Sequence, residues 1–383
     1  MIEYAFAVAV GSLFAIQLCY YLVLYLRIYR RNKRTKRGKE QFVDEQPPLS
    51  VIVFARNQAH QLRRHLVPIL EQEYPSFEVI VVNDGNEDES DIYLKQLSAQ
   101  YPHLRYSFLP DSSRYISHKK LALMLGIKAS RYEWLVLTNA DCYPVTNQWL
   151  RLMARNFTPD TEIVLGYCGY ERVGEWLNKR MVYQALFSAM RYLGFALGHQ
   201  PYMGIGCNLA YRREMFFRRK GFSEYLHLQQ GDDDLFVNGN ATRRNTRVET
   251  DRDAVIRKAP VERAKEWREE RISYMETSRF YKGAQRYLLG AETLTRLLFY
   301  AAEAGWIAVS ILSADWWMLG AAVLLYLLRL LVQAMVVNLT AKTLGEARRY
   351  YLSLPLFDLL QPLQSFRWKV CRLLRNRRDF MRK

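Results

Sequence analysis

The sequence predicts an α/β protein: a mostly parallel, doubly wound sheet with helices on both faces, carrying transmembrane helices at both ends. Three observations predict it. Short, fully apolar, β-branched runs alternate with helical stretches through the middle of the chain, the pattern of strands buried on both faces. Long apolar stretches, the first uncharged, stand near both termini. The basic residues gather beside those stretches: Lys and Arg exceed Asp and Glu by 55 to 38 in 383 residues, yet Arg27–Lys39 and Arg367–Lys383 hold 8 of them each. Without those two runs the chain has 39 basic and 37 acidic residues, a near-neutral body between two basic collars.

In chain order, Tyr4 to Leu26 is 23 residues without a charge, about 35 Å of helix at ~1.5 Å per residue. A cleaved signal peptide has positive charge before its apolar region and a small-residue cleavage site after it. Here the only early charge is Glu3, and aromatics and arginines follow, so residues 1–27 read as a retained anchor. Residues 28–47 read as a basic linker that lies on the cytoplasmic side and ends at Pro47-Pro48. Strands are expected at Ser50–Ala55, Glu78–Val82, Arg105–Leu109, Trp134–Thr138 and Ile163–Gly166, with helices over Gln58–Gln72 and Lys119–Ala129 between them. The aromatic-rich Val182–Leu197 is interrupted by Arg191 and reads as a helix packed on the sheet or facing a lipid-side acceptor. Residues 48–290 thus form one domain. Leu294–Leu312 and Trp316–Leu339 read as two membrane helices, within residues 291–340, joined by an external turn at Ser313-Ala314-Asp315. Arg329, costly at a membrane centre, needs a partner, and Glu303 on the neighbouring helix is the expected one. Within residues 341–383, Tyr350–Val370 holds two prolines and Asp358 and reads as a helix lying at the interface before a basic cytoplasmic tail.

Composition excludes several classes. Half the residues are apolar and 14% aromatic, which rules out a disordered chain. Five scattered Cys without a CxxC and six His without zinc-ligand spacing point to a reducing compartment and no structural metal. Cys142 and Cys207 read as small buried strand-end residues. Basic residues beside membrane segments, not interleaved with exposed aromatics, argue against nucleic acid.

In a doubly wound sheet, ligands bind beyond the C-terminal ends of the strands. Here those ends carry Arg56-Asn57-Gln58, Asn83-Asp84-Gly85-Asn86-Glu87-Asp88 and Asn139-Ala140-Asp141-Cys142. One Asx in a loop is explained by helix capping. Three clusters on one rim suit a hard cation held against a diphosphate. A fourth, Gly231-Asp232-Asp233-Asp234, stands before Leu235-Phe236-Val237, and capping explains one of its carboxylates, not three.

In order, Ser50–Asn57, Val81–Asp88, His118–Leu123, Thr138–Pro144 and Gly231–Phe236 resemble the motifs of the inverting glycosyltransferases of family 2, which have the GT-A (Rossmann-like) fold. Pro201–Gly206 and Asn208–Tyr211 resemble a membrane-anchored bacterial branch of that family. The resemblance implies that Asp84 reads the nucleotide base, with Asn57, Asp88, Lys119 and Asn139 on the nucleotide side. It implies that Asp141 ligates Mn²⁺ or Mg²⁺, and that Asp232, three before Leu235, is the catalytic base with Asp233 the close alternative. Asn208, Trp267 and Arg271 fall on the acceptor side. The chain departs from the family at Asn139, in place of the first Asp of a DxD, and at Gln58, where Glu is frequent. It departs again at Glu270, Ser273 and Tyr274, where relatives carry Gln, Arg and an aromatic or His. A literal QxxRW at Gln364, Arg367 and Trp368 lies far downstream and reads as coincidental, its Arg and Trp serving as interface anchors.

The expected function is transfer of a sugar from a nucleotide-sugar donor to a lipid-linked or glycan acceptor. The enzyme is expected as a multi-pass protein of the inner membrane, with its catalytic domain cytoplasmic and its basic flanks on anionic lipid. The alternative is a catalytically weakened relative that serves as a binding partner in glycan assembly.

Overall fold

The computed structural model describes residues 2–85, 88–109 and 117–374. Asn86 and Glu87 of the second acidic motif, and the basic tail from Arg375, lie outside the described residues. In chain order, α1 (Ile2–Cys19), a π-helical turn (Tyr20–Tyr25) and α2 (Arg27–Lys36) form one 35-residue helix. There follow β1 (Leu49–Ala55), α3 (Ala59–Leu70), β2 (Phe77–Asn83), α4 (Ser90–Gln100), β3 (Leu104–Phe108), α5 (His118–Ala129) and β4 (Trp134–Asn139). Then come β5 (Cys142–Pro144), α6 (Trp149–Ala154), β6 (Ile163–Leu165), β7 (Cys168–Tyr170), α7 (Trp176–Leu197), β8 (Leu209–Arg212) and α8 (Arg213–Arg218). The last set is α9 (Asp234–Asn240), β9 (Thr246–Val248), β10 (Ile256–Lys258), α10 (Ala264–Ser278), α11 (Gln285–Leu312), α12 (Trp316–Thr343) and α13 (Leu354–Leu373).

The main sheet has the order β3-β2-β1-β4-β8-β6-β9. Its first four strands are parallel, and β8 pairs antiparallel with both β4 and β6. Side chains alternate across each strand, and both faces are buried. Val51, Val53, Val79, Val81 and Val136 pack with Leu62 and Leu66 of α3, Leu94 of α4 and Trp149 of α6. Their neighbours Ile52, Ile80, Val82, Leu135 and Leu137 pack with Ala122, Leu123 and Ile127 of α5 and with Leu186, Met190 and Leu193 of α7. At roughly 1.5–3 kcal/mol for each large side chain taken from water, this two-sided burial is what the unbroken apolar strands encode. Gly126 lets α5 lie close on β1, for a Cβ there would stand 2.7 Å from Ile52 Cγ2. The strand ends therefore share one rim. A second sheet, β5-β10-β7, is built from three-residue strands too short to show a sequence period.

Among the described residues, three helices are long and apolar enough to cross a membrane: Ile2–Lys36, Gln285–Leu312 and Trp316–Thr343. They pack together through Phe6, Val10, Phe299, Trp306 and Ala322, with the Phe6 ring against Gly305. The inner end of this bundle is continuous with the domain core. Tyr21, Tyr25, Val336 and Val337 join Phe187 and Leu193 of α7, and Gly194 lets α7 pass the Leu24 carbonyl, which a Cβ would meet at 3.0 Å.

Two expectations are corrected here. Arg329 is paired not with Glu303 but with Asp358 of α13, at 2.8 Å; among the described residues both Glu303 oxygens lack a hydrogen-bond partner. The reason is the path of α13, which folds back along the bundle and delivers a carboxylate between Arg296, at 3.1 Å, and Arg329. That same path brings the QxxRW segment onto α10: Trp368 is buried, its ring edge-on to Trp267 at 5.6 Å between centroids. Trp368 is thus not an interface anchor, and the large separation in sequence is closed in space. The other side of α13 exposes Leu356, Leu359, Leu363, Phe366, Val370 and Leu373 as one apolar stripe.

Candidate active site

The nucleotide-side rim is locked by its own loops. Asn57 has φ 47° and Gly85 φ 118°, and the Asn57 amide lies so close to Gly85 that a Cβ there would stand 2.2 Å from its oxygen. The Asp84 amide donates to the Ala55 carbonyl at 2.8 Å. Its carboxylate, 7% exposed, meets His118 Nδ1 at 2.9 Å and Arg56 Nε at 3.3 Å. Asp88 accepts from the backbone amides of Ala59 at 2.7 Å and Ser90 at 3.1 Å. It thereby ties the starts of α3 and α4, where carboxylates are favoured. Burial opposes its ionisation, but these hydrogen bonds outweigh burial and hold its pKa low. Asp88 therefore shapes the rim through its capping bonds.

Lys119, expected on the nucleotide side with Asp84, forms an ion pair with Asp232 at 2.7 Å. The cause is helical: α5 starts at His118, and successive residues there are turned ~100° apart, so His118 takes Asp84 while Lys119 faces the aspartate cluster. His118 belongs to the His118–Leu123 motif, and its ring meets the Asp84 carboxylate.

The three aspartates are buried and have separate tasks. Asp234 accepts from Tyr281 Oη at 2.8 Å and from Thr277 Oγ1, anchoring the end of α10. Asp233 caps α9 through the Asp234 amide at 2.7 Å, and its other oxygen accepts from the Gly206 amide at 2.8 Å and from Tyr274 Oη at 3.0 Å. Burial, then the charges of Asp232 and Asp234, push the Asp233 carboxyl up to about 7. Asp232 has Lys119 on one oxygen and no hydrogen bond on the other. Burial alone would lower Lys119; the two aspartates override it and raise its pKa. Beneath them the Lys120 ammonium donates to the carbonyls of Tyr225, Leu228 and Gln230 at 2.5–2.9 Å. Burial lowers it to about 8. These bonds fix the loop that ends at Gly231, whose φ of 109° turns the chain into the cluster.

Asp233 and Lys119 open onto a cavity of about 280 Å³ lined also by Asn139, Lys258, Arg271 and Tyr274. Ala185 of α7, Met203 and Ile205 supply its apolar side, with the Ser188 hydroxyl beside them. Lys258 lies 3.2 Å from Glu270 and 3.8 Å from Asp141, and Arg271 lies 3.4 Å from Glu270. Burial favours neutral Glu270, but Lys258 and Arg271 prevail and lower its pKa. Burial dominates at Asp141 and raises it. One Asp141 oxygen accepts a Cys142 S–H bond at 3.3 Å, and the Asn139 amide nitrogen donates to Cys207 Sγ at 3.2 Å. One carboxylate and one amide oxygen suit a hard divalent cation that completes its shell from water and substrate phosphates.

Of the acceptor-side residues, only Arg271 lines the cavity. Asn208 is fully buried and spent on structure: its oxygen accepts from Trp149 Nε1 at 3.0 Å, and its nitrogen donates to the carbonyls of Tyr167 and Ala254. Trp267 is buried under Arg180 and Trp368. Tyr274, one of the departures from the family pattern, also lines the cavity, as does Lys258, which no sequence motif marks.

Comparisons with known proteins bear on the fold that carries this site. Residues 50–218 match the family described as Glycosyl transferase family 2. Over 108 residues the chain is 26% identical to an uncharacterized glycosyltransferase, YibD, of Escherichia coli (strain K12). That match covers 28% of this chain and 30% of the relative's length. Among solved structures, a mannosyltransferase of Pyrobaculum calidifontis, in complex with GDP-Man and Mn²⁺, superposes with a TM-score of 0.56 at 20% identity. It covers 91% of this chain and 100% of its own, so the likeness in fold extends well past the family match.

Proposed function

We propose that this chain, whose residues 50–218 match glycosyl transferase family 2, is a membrane-bound inverting glycosyltransferase of that family. It uses a nucleotide-sugar donor and a lipid-linked or glycan acceptor at the cytoplasmic face. The observation that carries this reading is the Asp232–Asp233 pair, buried beside Lys119, with Asp233 opening onto the cavity and held near neutrality. A general base works best when its pKa lies near the working pH.

Asp84, with Arg56 and His118, takes the nucleoside. Asn139 and Asp141 hold Mn²⁺ or Mg²⁺, which when bound neutralises the diphosphate leaving group. Lys258 and Arg271 add fixed positive charge on the same side of the cavity. The aspartate pair accepts the proton of the acceptor hydroxyl. The hydroxyl oxygen then bonds to the anomeric carbon as the bond from that carbon to the diphosphate breaks, inverting its configuration. The apolar wall from α7, continuous with the helix bundle, supports an acceptor that arrives from the membrane.

The test is release of nucleoside diphosphate by detergent-purified protein from a panel of UDP, GDP and dTDP sugars, with Mn²⁺ and bacterial lipid extract. Metal-dependent turnover of one donor, lost in Asp141→Ala, is expected. Equal turnover in Asp141→Ala, or with chelator present, would refute the site.

A further inference from the structure

We propose a second metal site, for a thiophilic d¹⁰ divalent ion of the Zn²⁺ class, made by Cys142, Cys168 and Cys207. The three thiols are buried and free, and their sulfurs all lie within 4.8 Å of one another. They come from separate segments: Cys142 from β5, Cys168 from β7 on the far side of β10, and Cys207 from the loop before β8 of the main sheet. Zn–S bonds of about 2.3 Å set tetrahedral sulfurs ~3.8 Å apart. The trio therefore needs to contract by at most about 1 Å to hold one ion.

Binding replaces three S–H bonds by three metal–thiolate bonds and releases three protons, leaving a site of net charge −1. The ammonium of Lys258 lies close by, 3.8 Å from Asp141, and the Asn139 amide already donates to Cys207 Sγ at 3.2 Å. Both favour thiolate over thiol. Cys168 and Cys207 line the cavity, so the fourth coordination position opens towards it, as in zinc sites that keep an exchangeable ligand. An ion there pins the small sheet to the large one. It also removes the Cys142 proton that now bonds Asp141, coupling its occupancy to the nucleotide side. The hard cation proposed at Asp141 prefers oxygen ligands and does not compete for three sulfurs.

The experiment uses full-length protein in detergent with Cys19→Ser and Cys371→Ser, which removes the two other thiols. After full reduction it is titrated with Cd²⁺, in the presence of Mn²⁺, and followed by the ultraviolet thiolate-to-cadmium band and by proton release. Saturation at one ion per chain, with the intensity of three thiolates, is expected. Adding Cys168→Ser should weaken binding by at least about 10–100-fold, the loss known for outer-shell partners alone. Absence of the band, or a two-thiolate intensity, in the parent variant overturns the proposal whatever the fate of the Cys168→Ser protein. So does an unchanged band in that protein.

Discussion

Two buried charge clusters, one in the helix bundle and one at the cavity, are built on opposite rules. In the bundle, Arg191, Glu292, Arg296, Asp358 and Arg329 alternate in sign along one chain of contacts, and each carboxylate touches two guanidiniums. At the cavity, three consecutive aspartates have one ammonium in contact, that of Lys119. Complete pairing is how a fold tolerates buried charge; incomplete pairing keeps a group ready to take up a proton. The bundle cluster joins α7, α11, α12 and α13, so it is a structural clamp. The cavity cluster holds its stress where chemistry is proposed.

The widest separation between the clusters should appear in activity. Asp232→Asn and Asp233→Asn remove the proposed base and should lower kcat by about 10²–10⁴-fold without bringing thermal unfolding forward. Asp358→Ala should do the reverse. Stranding Arg329, and leaving Arg296 with Glu292 as its one carboxylate, should cost about 3–5 kcal/mol, read as an early unfolding transition in detergent.

A third expectation concerns pH. In the folded protein the Asp233 carboxyl is pushed from its ordinary value of 3.8 up to about 7. The native protein thus binds more protons than the unfolded chain between those values, and stability falls as pH rises through that window. Asp233→Asn removes this loss. It should unfold later than the parent at pH 8, by an amount of up to about 4 kcal/mol, and show little gain at pH 4. An equal gain at both would place the stress elsewhere. The smallest effect belongs to Glu303→Gln. Among the described residues that carboxylate has no hydrogen-bond partner to lose, so the change should cost less than about 1 kcal/mol, well below Asp358→Ala. If Glu303→Gln were the more damaging of the two, the bundle pairing described here would be wrong.

How much was legible follows from the range of each interaction. The strands, the rim loops at Asn57, Asp84 and Asn139, and the aspartate cluster are written in contiguous residues, so short patterns exposed them. Helix phase goes beyond that resolution: the neighbours His118 and Lys119 face different carboxylates, Asp84 and Asp232. Pairings set by the route of a whole helix were out of reach. Asp358 meets Arg329, and Trp368 meets Trp267, only because α13 turns back on the bundle and on α10. Lys258 enters from a three-residue strand with no periodicity to announce it. Asn208 stood in a quoted motif, yet its hydrogen bonds show it holding backbone carbonyls, a role that residue type alone does not separate from binding.

The central claim is that the aspartate pair at the cavity is the base of a glycosyl transfer. Its most direct test is the pH dependence of kcat/KM for nucleoside diphosphate release, with the donor that turns over, in the parent protein, Asp232→Asn and Asp233→Asn. A rate that climbs with pH to a plateau above about 7, with that limb and most of the activity gone in the variants, is the predicted result. Full activity with an unchanged pH profile in both variants would contradict it.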